Sequence, residues 1–172
     1  MHPSFETKFC SPDKLASRVA GLPRKLAFTN GVFDVLHRGH VTYLAEARAF
    51  GSSLIVALNS DASVKRLGKG DDRPINTLED RMAVIAALEC VSLVTWFEED
   101  TPIERILAAR PDVLIKGGDW AIEKIVGGAE VKAWGGSVHA IPFQFERSTT
   151  ATLAKIRTAG PTNKQPPNRP KE

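Results

Sequence analysis

A chain of 172 residues, 42% hydrophobic and 25% charged, has the size and balance of one folded domain with a substantial core. It contains no run of roughly 18 apolar residues, which excludes a membrane-spanning helix. The pI near 9.0 would suit a nucleic-acid binder, but the excess basicity sits at the two ends. Residues 1–24 carry four basic and two acidic side chains, residues 158–172 carry three and one, and residues 25–157 carry sixteen and seventeen. A basic nucleic-acid-binding face is therefore not expected. The N-terminus lacks the basic-then-apolar layout of a secretion signal, and Cys10 and Cys90 form neither a disulfide framework nor a metal-ligand spacing. A cytoplasmic protein is expected.

In chain order, residues 1–24 form an N-terminal extension whose spacing predicts one short helix over 12–20, stopped by Gly21-Leu22-Pro23. Residues 25–28 read as an apolar strand, and residues 41–50 as a helix with Val41, Leu44, Ala45, Ala47 and Ala49 on its apolar face. Residues 53–58 are almost continuously apolar, as a strand covered on both faces must be. Residues 62–74 are rich in Lys, Arg, Gly and Asp and read as a flexible loop. Thr77 is a good N-cap for a helix over 78–89, with acids in its first turn. A strand over 92–97 follows, then a helix opened by Thr101-Pro102 and ended at Arg110-Pro111. Residues 112–115 are a fourth strand. A glycine-interrupted helical stretch runs to Trp134, a strand spans 137–143, and a last helix covers 151–157. The tail, 158–172, is rich in proline and poor in apolar residues, so disorder is expected there.

Strands and helices alternate throughout. That pattern predicts a single-domain α/β protein over 25–157: a Rossmann-like, doubly wound, five-stranded parallel sheet with helices on both faces. The carboxyl ends of its strands must share one edge, where ligands bind. Four unusual loops fall on that edge: 30–40, the basic 65–73, 116–120 and 146–150. They offer imidazoles, Lys and Arg side chains, glycine N–H groups and hydroxyls at a helix start, a set suited to a polyphosphate. A strong nucleophile with a base beside it is missing, so the chemistry implied is transfer at phosphorus by positioning and charge neutralisation. His37 and His40 could instead be ordinary capping or core histidines, or zinc ligands with Asp34. Gly39 between them argues for close approach of the backbone to something bulky, and favours an anion site.

The stretch Asn30-Gly31-Val32-Phe33-Asp34-Val35-Leu36-His37-Arg38-Gly39-His40 resembles the signature of the cytidylyltransferase-like nucleotidyltransferases. Ser148-Thr149-Thr150 resembles their second signature, a hydroxyl triplet opening the last helix. Within that family, Asn59 to Leu67, Arg73-Pro74-Ile75-Asn76, Phe97 to Pro102 and Leu114 to Trp120 are similar to the adenylyltransferases of ADP-heptose synthesis. The resemblance implies transfer of AMP from ATP to D-glycero-β-D-manno-heptose 1-phosphate for lipopolysaccharide core synthesis, in a stand-alone form without a fused sugar kinase.

Carried onto this sequence, the resemblance implies the following roles. His37 and His40 bind the ATP phosphates and stabilise charge on the α-phosphate and the leaving pyrophosphate. Thr29, Asn30, Gly31 and Phe33 wall the nucleotide pocket. Asp34 lies beside the entering sugar phosphate, Lys65 holds that phosphate, and Arg81 clamps phosphate oxygens. Lys116, Gly117, Asp119 and Trp120 line the base and sugar side, while Ser148, Thr149 and Thr150 hold the β- and γ-phosphates. Mg²⁺ is expected to arrive with ATP rather than on protein side chains. Partners are ATP and a sugar 1-phosphate, with neither nucleic acid nor membrane, and a homodimer is a possible assembly. Two alternatives stay open: the same chemistry with another acceptor (glycerol 3-phosphate with CTP, phosphopantetheine with ATP, or a flavin), and a nucleotide-binding module without catalysis.

Overall fold

The computed structural model describes residues 3–68, 70, 72–145 and 149–158, with residue 157 as backbone only. Five parallel strands make one sheet: β1 (Leu26–Gly31), β2 (Ser53–Asn59), β3 (Leu93–Phe97), β4 (Val113–Gly117) and β5 (Ser137–Ile141), in the spatial order β3-β2-β1-β4-β5. Seven α-helices are described: α1 (Leu15–Ala20), α2 (Arg38–Ala49), α3 (Asp61–Arg66), α4 (Leu78–Ala86), α5 (Ile103–Ala109), α6 (Gly128–Ala133) and α7 (Thr149–Thr158). The expected doubly wound α/β architecture is the one observed.

Strand alternation divides the core into two layers. On one face Ala27, Leu54, Val56, Val113 and Ile115 meet Tyr43 and Leu44 of α2 and Met82 and Ile85 of α4. On the other, Leu26, Phe28, Ile55, Ala57 and Leu114 meet Leu15 and Val19 of α1, Ile106 of α5 and Val131 of α6. Because β1 lies between β2 and β4, the chain winds outward from it in both directions. The crevice above β1 and β4 is therefore the topological switch point of the sheet.

The N-terminal extension is stitched to this body. Phe9 forms a parallel bridge with Val94, the Cys10 amide donates to the Val94 carbonyl at 2.9 Å, and Leu15 is fully buried. Lys8 Nζ donates to the carbonyls of Ala86 and Leu88 at 2.8 and 3.0 Å, satisfying backbone acceptors at the end of α4.

One local reading needs correction. The loop expected over 62–74 begins as helix α3: Ser60 caps it, accepting from the Ser63 amide at 3.1 Å, and Val64 is fully buried. A single buried apolar residue and a cap outweighed the charge-rich composition. The glycine-interrupted helical stretch expected before Trp134 is found as a 3-10 turn, Ile122–Lys124, and the short α6, separated at Gly127, which adopts φ 82°. The expected disordered tail, apart from Thr158, lies outside the described residues.

Candidate active site

At the end of β1 the chain turns sharply. Phe33 takes the left-handed conformation at φ 48° and its ring folds back over Gly31. A Cβ at Gly31 would stand 2.9 Å from that ring, so only glycine leaves room for it. Phe33 then packs edge-on against His40, with ring centroids 5.2 Å apart.

His37 is the N-cap of α2, in extended conformation, and its Nδ1 accepts from the His40 amide at 3.4 Å. An accepting Nδ1 leaves the proton of a neutral imidazole on Nε2. The two imidazoles stack at 3.8 Å between centroids. Burial first, and the neighbouring His37 after it, lower His40 from 6.5 to about 4, against a smaller opposing effect of its hydrogen bond with the Val35 backbone. His40 is thus neutral at physiological pH until an anion arrives. A Cβ at Gly39 would meet the His37 ring at 3.1 Å, so the glycine between the histidines permits their stacking.

The histidines line one lobe of a two-lobed cleft. This histidine lobe, of about 400 Å³, is also bounded by Phe33, Asp34, Tyr43, Arg73, Gly117, Phe143, Thr149 and Thr150. The second lobe, of about 440 Å³, is bounded by Asn59, Leu67, Phe97, Asp100, Thr101, Pro102, Lys124, Ile125 and Val126. Asn30, Gly31, Val32, Lys116 and Trp120 line both. Each volume falls within the usual range for a small-molecule site.

The structure brings together most of the expected site residues: Asn30, Gly31, Phe33, Asp34, His37, His40, Lys116, Gly117, Trp120, Thr149 and Thr150. Ser148 lies outside the described residues. Four expectations need revision. Thr29 is fully buried behind the wall, where its hydroxyl meets the Tyr43 hydroxyl at 2.5 Å, and it is not among the described residues that line the cleft. Lys65 is exposed on the last turn of α3, and Asp119 is exposed after β4; neither is among the described residues that line the cleft. Arg81 is 1% exposed and faces inward: it donates to the carbonyls of Val32 at 2.8 Å and Asn76 at 3.1 Å, and to the Asp61 carboxylate at 2.7 Å. Arg81 ties the β1 loop to α3 and α4 instead of reaching a phosphate.

Arg73, rather than Arg81, is the arginine that lines the histidine lobe. Its Nε donates to Asp34 Oδ2 at 2.6 Å, and both side chains are buried. Asp34 also accepts from the amides of Ile75 and Asn76 at 2.9 Å each, and its carbonyl accepts from Asn76 Nδ2. The carboxylate therefore anchors the 73–76 loop and presents a cation to the histidine lobe. Sequence reading missed this role because Arg73 stood in a charge-rich stretch 39 residues from Asp34; the Arg73-Pro74-Ile75-Asn76 segment itself was the available signal.

Comparisons with known proteins identify the family. The family model described as cytidylyltransferase-like matches residues 28–164. Over 155 residues the chain is 58% identical to a D-beta-D-heptose 1-phosphate adenylyltransferase of Bordetella bronchiseptica, covering 89% of this chain and 96% of that protein. It is 55% identical over 133 residues to the bifunctional protein HldE of Hahella chejuensis, covering 77% of this chain and 28% of that longer protein. Among solved structures, a lipopolysaccharide core biosynthesis protein from Thermoplasma volcanium aligns with a TM-score of 0.57 at 26% identity, over 71% of this chain and 98% of that one. A pantoate-beta-alanine ligase from Francisella tularensis shares the fold, with a TM-score of 0.55 at 15% identity over 83% of this chain and 68% of that one. With the family model spanning most of its length and the signature histidines paired in the cleft, the chain belongs to the cytidylyltransferase-like family of nucleotidyltransferases.

Proposed function

We propose that this protein transfers the adenylyl group of ATP to D-glycero-β-D-manno-heptose 1-phosphate, releasing pyrophosphate and forming ADP-heptose for the lipopolysaccharide core. The observation that carries this reading is the 58% identity, across nearly the whole of both chains, to the B. bronchiseptica adenylyltransferase.

The site chemistry supports it. ATP fits the histidine lobe, where His37, His40, Arg73 and the start of α7 at Thr149 offer donors to phosphate oxygens. The second lobe mixes Asn59, Asp100 and Thr101 with Phe97 and Ile125, a lining suited to a polyol with hydroxyls and an apolar ring face. An oxygen of the sugar phosphate attacks the α-phosphorus in line, and the bond to the β-phosphate breaks with its electron pair leaving on pyrophosphate. The nucleophile is already anionic, so no general base is required. The histidines act by gaining or sharing protons with charge that builds on the α-phosphate and the leaving group.

Among the described residues, no three His, Cys, Asp or Glu side chains group as a metal site. Asp34, the carboxylate of the histidine lobe, is committed to Arg73 and two amides. Mg²⁺ is expected to arrive with ATP, where it would supply neutralising charge. The test is pyrophosphate release and product mass with a panel of nucleotides and acceptors. ADP-heptose from ATP and the heptose 1-phosphate is expected; turnover with CTP and none with ATP would reject the adenylyl reading.

A further inference from the structure

We propose that Lys116 is a catalytic residue that sits between the two reacting phosphates and neutralises both as the new bond forms. This inference rests on the adenylyl-transfer reading of the cleft. If donor phosphates occupy the histidine lobe and the acceptor occupies the second lobe, the α-phosphorus and the attacking oxygen must meet at the wall the lobes share. Among the described residues lining both lobes, Lys116 is the charged one.

The geometry holds the ammonium at that junction. Lys116 is the fourth residue of β4, paired in register with Ala140 of β5, so its backbone is fixed by the sheet. Its Nζ donates to Asn30 Oδ1 at 3.4 Å, and lies 5.6 Å from the centre of the Trp120 ring. Asn30 and Trp120 also line both lobes, so the amide and the indole brace the cation from within the shared wall. The His37–His40 pair and Arg73 line the histidine lobe only, and so serve the nucleotide side.

The reaction needs such a cation. Bringing a phosphate monoester dianion against a triphosphate is opposed by like-charge repulsion, which a partly enclosed cleft screens less than bulk water does. A compact ammonium between them reverses the sign of that interaction on both sides. In the transition state the forming oxygen–phosphorus bond and the breaking anhydride spread charge over the equatorial oxygens, so a fixed cation there acts chiefly on the chemical step, once both phosphates are in place.

The experiment compares wild type with Lys116→Met and Lys116→Arg, after circular dichroism shows that each is folded. ATP affinity is measured by equilibrium binding, and kcat and acceptor KM with heptose 1-phosphate. We expect Lys116→Met to lower kcat by about 10²–10³-fold while ATP affinity changes less than about 3-fold. Methylammonium should restore part of the lost rate, and Lys116→Arg should retain more activity than Met. Met-variant turnover within about 3-fold of wild type would overturn the role alone, as would loss confined to ATP binding. A wild-type enzyme inactive on ATP and heptose 1-phosphate would overturn the adenylyl reading and this role together.

Discussion

The imidazoles of His37 and His40 stack with centroids 3.8 Å apart and planes inclined by 17°. Two rings so close do not both carry charge without an anion beside them. The pair is therefore poised: neutral at one member while the cleft is open, and able to take up a proton when a polyphosphate enters. The stacking follows from three local features, namely the capping role of His37, the missing side chain at Gly39 and the edge of Phe33 against His40.

That poise has a pH signature. His40 is lowered to about 4 in the folded protein, first by burial and then by His37. In the unfolded chain it titrates near about 6.5, so between these values the unfolded state binds more protons and stability increases with pH. The contribution is complete above about pH 6.5 and is lost as pH falls toward 4. We expect urea midpoints to drop across that window and His40→Asn to flatten the slope. In the ATP complex the His40 NMR titration should move to higher pH; a free-protein midpoint near 6.5 would contradict the burial argument.

Removing the imidazoles should separate capping from catalysis. His40→Ala is expected to keep the fold and lower turnover by about 10²–10⁴-fold. His37→Asn keeps an N-cap of comparable quality, so stability should stay within about 1 kcal/mol while turnover falls. Melting curves beside steady-state kinetics check both. Near-normal turnover in either variant would remove that ring from the chemistry.

The Asp34–Arg73 pair should fail asymmetrically. Asp34→Ala leaves a buried guanidinium and two amides without their acceptor, and is expected to cost about 3–5 kcal/mol in denaturant unfolding. Arg73→Lys keeps the charge but loses the Nε contact at 2.6 Å. It should weaken ATP binding by about 10-fold in calorimetry, since an ammonium does not reproduce the guanidinium fork.

Arg81 should behave as a structural residue. Arg81→Met strands the carbonyls of Val32 and Asn76, and about 2–4 kcal/mol of stability should be lost. In the fraction that remains folded, the KM for ATP should stay within about 3-fold of wild type. A large KM change at unchanged stability would return Arg81 to the cleft.

Gly39→Ala tests the close approach. Alanine gains up to about 1 kcal/mol in helix propensity, yet its Cβ would press on the His37 ring at 3.1 Å and the Phe145 carbonyl at 3.4 Å. We expect a melting temperature close to wild type with turnover lowered about 10-fold or more, because a small displacement of a positioned group is costly.

The sequence by itself determined the strand-and-helix alternation, the parallel sheet and the placement of His37 and His40 where β1 gives way to α2. Those features are local: apolar period, glycine position and capping chemistry act within a few residues of one another. The fate of the charged side chains was decided only by the tertiary structure. Arg73 joins Asp34 across 39 positions, Arg81 turns inward to Val32 and Asp61, Lys65 stays on the surface, and Lys116 reaches the wall between two lobes. A guanidinium or ammonium takes its role from whichever acceptors the sheet crossovers bring to it, and those partners are remote in the chain. Burial periodicity records that a residue faces inward; it does not record what waits there.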